Sequence, residues 1–111
     1  MAKYYYPAIF WPAEESGYVV IVPDLQGCVT EGDDLEEAMY MAKDAINCWL
    51  YEFEEKDYPK PKNINDVDKS EYPNSFVSLV EYDPNDFKHN HDKNLEYSIE
   101  HYSERSAALS L

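Results

Sequence analysis

Histidines, cysteines and a surplus of carboxylates are the residues of this chain that could do chemistry. His89 and His91 flank an asparagine in the polar stretch "DPNDFKHNHDK", and His101 stands apart in the tail. A metal centre needs three or four ligands at defined spacing, and no cysteine lies near these histidines to complete one. Cys28 follows a glycine turn and has no histidine close in sequence to serve as its base, which suits a small buried hydrophobe better than a nucleophile. Cys48 falls inside a helical stretch beside an apolar stripe and is expected to pack there. The carboxylates form no catalytic pair. A two-metal nuclease needs acids on central strands converging on one cleft, and the first two strand-like stretches, residues 4–11 and 18–22, contain none. The side chains point to binding rather than catalysis, with no metal and no cofactor.

The formal net charge is −14 over 111 residues. Binding to a phosphate backbone is driven by lysine and arginine displacing counterions, so a nucleic-acid groove is not expected on such a surface. Acidity keeps a protein soluble and can also steer a basic partner toward it. The acids are denser in the first half, where 12 oppose 3 bases through residue 56, against 11 and 6 from residue 57 onward. Eleven tyrosines are many for this length. Without basic residues between them they suit core and interface duty, where an apolar ring carries a polar tip. The start "MAKYYYPAIF" lacks the basic head and long apolar run of a secretory leader, and no apolar run reaches the roughly 20 residues of a membrane helix. A cytoplasmic protein with no membrane partner is expected.

One ordinary domain accommodates the chain. Residues 4–11, "YYYPAIFW", and 18–22, "YVVIV", are aromatic and β-branched, and "PAEESG" between them supplies turn formers, which makes a β-hairpin. Pro7 cannot donate to a ladder, so the first strand lies at an edge there or is interrupted. A third short strand around "GCVTEG" follows the Pro23–Asp24 bend and ends at Gly32. From Asp33 the period changes to three and four. Leu35, Ala38, Met39, Ala42, Ala45, Ile46, Trp49, Leu50 and Phe53 define one face, with Leu35, Met39, Ile46, Trp49, Leu50 and Phe53 as the main core. Glu36, Glu37, Lys43, Asp44, Asn47, Glu52 and Glu54 fill the opposite face. Asp34 with Glu37 three residues on makes a capping box, so the spacing predicts a helix from about 34 to about Lys56. Residues 57–74 hold three prolines and form a connector, and "SFVSLVEY", residues 75–82, alternates as a fourth strand. The order β-β-β-α-β describes an α+β domain over residues 1–82, one long helix packed on a small sheet. Residues 83–111 make a polar hinge and a short helical tail, with Leu95, Ile99 and Tyr102 on one face. No complete DNA-binding domain is expected in them.

Tyr6-Pro7-Ala8, Gly17-Tyr18-Val19-Val20, Pro23-Asp24-Leu25-x-Gly27-Cys28, Gly32-Asp33 and Leu35-Glu36-Glu37-Ala38, in this order, resemble the HicB family of antitoxins, and the match runs from residue 6 to about 50. The resemblance implies a partial, truncated RNase H-like fold that lacks the nuclease's catalytic acids. It further implies that the protein binds and neutralises a small basic RNA-cleaving toxin of the HicA type by masking its active site. Asp24, Asp33, Asp34, Glu36 and Glu37 are the residues expected to face that partner. Many members carry a second, DNA-binding domain, from which this tail departs. The alternative is a stand-alone RNA- or DNA-binding regulator of the same fold, which the charge opposes. An aromatic first strand and a terminal helix too poor in apolar residues to stand alone leave surface for a second copy, so a homodimer is expected.

Overall fold

The computed structural model describes residues 3–85. In chain order these form β1 (Tyr4–Pro12), β2 (Tyr18–Ile21), β3 (Val29–Gly32), α1 (Leu35–Leu50) and β4 (Phe76–Tyr82), with single 3₁₀ turns at Glu55–Asp57 and Ile64–Asp66 in the connector. The strands form one antiparallel sheet in the order β3-β2-β1-β4, with α1 on one face. The predicted α+β order and its four strands are all present. The histidines and the expected tail helix lie outside the described residues.

Alternation along β1 puts Tyr6, Ala8 and Phe10 into the core beneath α1, together with Val20, Val80 and Tyr82 of the neighbouring strands. The first strand is therefore central, flanked by β2 and β4. Its proline still finds a local edge. The β1–β2 pairing begins at Ile9–Ile21, so at Pro7 the only neighbour is β4, through Leu79. A residue without an N–H can sit there because it faces a partner on one flank alone.

The buried face of the helix is wider and differently aimed than its sequence spacing predicts, taking in Met41, Asp44 and Asn47 besides the apolar stripe. Ala38, Ala42, Ala45, Ile46 and Leu50 enter the core, with Met39 and Trp49 packed partly against it. Leu35 and Phe53, both expected in the core, are 44% and 46% exposed. Leu35 opens the helix one turn before its first buried residue, Ala38. Phe53 lies beyond the helix end and stacks on Trp49 at a centroid distance of 5.3 Å. The helix stops at Leu50 rather than near Lys56. Its last turn holds no base to complement the dipole, and the acids Glu52, Glu54 and Glu55 that follow oppose a longer helix.

Three polar assignments also change. Asp44 and Asn47, expected on the solvated face, are buried. Asn47 Oδ1 accepts a 2.9 Å hydrogen bond from the Tyr82 hydroxyl, which reaches up from the sheet. Cys48, expected to pack, is exposed, whereas Cys28 is buried as expected. Small residues let the layers approach. A Cβ on Gly32 would fall within the backbone of Ala38, so β3 touches the first turn of α1 only because residue 32 has no side chain.

Candidate partner-binding surface

The segment Val22–Met39 ties sheet to helix. Val22 N–H donates to Cys28 O (3.0 Å), Leu25 N–H to Val22 O (3.1 Å) and Cys28 N–H to Leu25 O (2.9 Å), closing a compact loop over the buried Leu25. Gly27 adopts φ +80°, a conformation that favours glycine. Trp49 Nε1–H donates to Gln26 O at 2.9 Å and pins this loop to the far end of α1. Burial pushes the Cys28 thiol up to about 12, with the nearby Cys48 adding to the shift. A thiol held protonated in this way is a packing group, not a nucleophile.

Asp24 has a structural task. Its carboxylate accepts from Lys62 N–H at 2.8 Å and faces Lys62 Nζ at 3.9 Å, and its side chain is only 6% exposed. It anchors the connector to the loop. A second anchor is Tyr6, whose hydroxyl donates to Pro59 O at 2.7 Å. Burial first, then the neighbouring Tyr4, Tyr58 and Asp24, pushes the Tyr6 phenol up to about 12. Tyr82 is likewise pushed up by burial and by Tyr58. Sequence reasoning missed these tyrosine anchors, because pairing Tyr6 with Pro59 requires the path of an irregular connector.

The other four expected residues gather at the start of α1. Asp33, Asp34 and Glu36 are exposed and Glu37 is half-buried. Asp34 Oδ1 accepts from Glu37 N–H at 2.8 Å, the expected cap. Three more acids join them. The β2–β3 register sets Tyr18 opposite Gly32, and Gly17, at φ +83°, leaves no room for a Cβ against Gly32 O and Asp33 Cα. The β1–β2 turn, with exposed Glu14 and Glu15, therefore lies beside the start of the helix, and Glu31 precedes it on β3. No lysine or arginine stands between Lys3 and Lys43 in sequence. One end of the molecule thus presents carboxylates on a rigid frame, a geometry suited to attracting a cationic surface. Glu14 and Glu15 were within reach of sequence reasoning, since a hairpin register that opposes Tyr18 and Gly32 brings the turn to the helix start.

A model of the HicB-like antitoxin of bacterial toxin-antitoxin systems matches residues 6–102. The chain belongs to this antitoxin family. Among its relatives, an Antitoxin HicB 1 of Photorhabdus laumondii is 39% identical over 77 residues, which cover 68% of this chain and 49% of that protein. An Antitoxin HicB of Escherichia coli K12 is 37% identical over 78 residues, covering 68% and 56%. A 14.9 kDa protein from the rep-hol intergenic region of Haemophilus phage HP1 is 40% identical over 70 residues, covering 60% and 53%. The chain spans about half the length of these curated relatives. A chain in a toxin-antitoxin complex from Streptococcus pneumoniae shares the fold of this HicB-like protein, with a TM-score of 0.66 and 24% identity over 78% of this chain and 73% of that one. Among the described residues, no helix is long and apolar enough to cross a membrane.

Proposed function

We propose that the chain neutralises a small basic RNA-cleaving toxin of the HicA type by binding over its active site and keeping RNA out. Residues 1–82, read as a truncated RNase H-like domain, do the binding. The protein acts in the cytoplasm as a homodimer, without a cofactor and without catalysis of its own. Asp33, Asp34, Glu36 and Glu37 are the contact residues named by the sequence, and Glu14, Glu15 and Glu31 extend the same acidic end. Asp24 leaves that set because its carboxylate is covered and held by Lys62. The observation that carries the reading is this concentration of carboxylates at one end of a member of an antitoxin family, in a stretch with no lysine or arginine between Lys3 and Lys43. Charge steers the encounter, and buried apolar contacts set the residence time. The test is RNA cleavage by the purified product of the adjacent reading frame, with and without one equivalent of this chain. Cleavage should fall at least about tenfold, a difference of about 1.4 kcal/mol in toxin availability. Unchanged cleavage at micromolar excess contradicts the reading.

A further inference from the structure

We infer that the second copy pairs edge to edge with β4, joining two four-stranded sheets into one antiparallel sheet of eight. This rests on the homodimer reading above and names the surface that reading leaves open. Among the described residues, β4 ends the sheet and no strand pairs with its far side, where the Ser78 hydroxyl donates to Leu79 O at 3.4 Å. Sheets protect such edges with lysine, proline, a bulge or a very short strand. The seven residues "FVSLVEY" hold neither lysine nor proline, and their one charge, Glu81, is paired with Lys3 at 3.5 Å. Leu79, at the centre of the strand, is 43% exposed, and Phe76 is 38% exposed.

The register follows from Pro7. Antiparallel pairs alternate between those that exchange N–H···O bonds and those that do not. Pro7 has no N–H and lies opposite Leu79, so this pair is of the second kind, as are Ile9–Val77 and Tyr5–Glu81. The N–H and C=O groups of Val77, Leu79 and Glu81 therefore point to the open edge. A two-fold axis at Leu79 sets Leu79 opposite itself, Val77 opposite Glu81, Ser78 opposite Val80 and Phe76 opposite Tyr82. All seven residues then pair with their faces preserved. The two Glu81 carboxylates stand about 13 Å apart along the strand, beyond the screening length of about 8 Å.

Charge favours a second copy at this edge and opposes it at the other. β4 itself carries a single acid, Glu81, which faces Lys3 at 3.5 Å, and Asp83 follows its last residue. The opposite edge, β3, adjoins the acidic start of α1. A like-charged copy fits at β4 and leaves the acidic end free for a basic partner.

Solution mass measured by light scattering on the full chain tests this. Because the Leu79 N–H points outward, Leu79→Pro removes a donor that β1 does not use, and the mass should halve from dimer to monomer with an unchanged far-ultraviolet spectrum. Leu79→Lys should do the same by charging the edge. Tyr5→Lys, on the sheet face away from α1, should stay dimeric, which separates edge pairing from face-to-face stacking. Under diamide, Leu79→Cys should form disulfide-linked dimers well above the parent background and Val77→Cys should not, since Cα atoms of a hydrogen-bonded pair lie about 5.5 Å apart. A monomeric parent overturns both the homodimer reading and this edge. A dimer that survives both Leu79 substitutions, or that Tyr5→Lys dissolves, overturns the edge alone.

Discussion

Ile46 and Leu35 both fall on the three-and-four spacing of α1, yet only Ile46 is enclosed by the sheet. Removing buried methylenes costs transfer energy plus the cavity left behind, so Ile46→Ala should destabilise by about 2 to 5 kcal/mol. Leu35→Ala should change stability by no more than about 0.5 kcal/mol. Urea unfolding of the two variants checks the difference. Tyrosine burial gives a second expectation at this scale. The Tyr6 phenol rises from 10.0 to about 12 in the folded protein, so the fold favours its neutral form. That stabilisation is fully present below pH 10, the unfolded value, and is lost as pH climbs through about 12. Tyr82 shifts in the same direction and adds to the loss. Tyr6→Phe should flatten the alkaline fall in stability while costing about 0.5 to 1.5 kcal/mol at neutral pH for the lost bond to Pro59. Denaturation midpoints across the alkaline range, followed with phenolate absorbance, measure both effects.

The junction of β3 and α1 depends on a missing side chain and on a cap. Gly32→Ala should cost about 1 to 3 kcal/mol or more, because the added methyl meets the backbone of Ala38 rather than a side chain that can move. Asp34→Ala should cost about 0.5 to 2 kcal/mol, with Asp34→Ser close to the parent. Thermal unfolding of the three variants checks these values. Element order was legible in the sequence because each element announces itself locally: the hairpin by its turn formers, the helix by its period and cap, β4 by alternation after a proline-rich connector. Helix length and facing were less so. The stripe through Leu35 and Phe53 continues the period beyond the sheet that gives it a purpose, and only the tertiary structure shows where the sheet ends. Asp44 and Asn47 read as polar surface because burial of a polar group depends on a distant partner, as Tyr82 is for Asn47. The tyrosine anchors and the task of Asp24 depended in the same way on the path of residues 51–75.

Across the whole molecule, the sheet order separates two kinds of surface. The β3 side carries the acidic start of α1 and the β1–β2 turn, and the β4 side carries an apolar strand edge whose one acid, Glu81, faces Lys3. The acidic end was partly legible, since four of its residues follow one another from Asp33. Glu14 and Glu15 join it through the strand register, and Glu31 stands two residues before Asp33. Under the proposed function this polarity has a use, with a basic toxin at one end and a second copy at the other. Stopped-flow mixing with the product of the adjacent reading frame tests the central claim most directly. The association rate should fall at least about tenfold as salt rises from roughly 50 to 500 mM, and reversing Asp33, Glu36 and Glu37 to lysine, with Asp34→Ser to keep the cap, should slow association far more than it hastens dissociation. A rate indifferent to salt, or full-speed binding after charge reversal, would contradict the claim that the acidic end recognises the toxin.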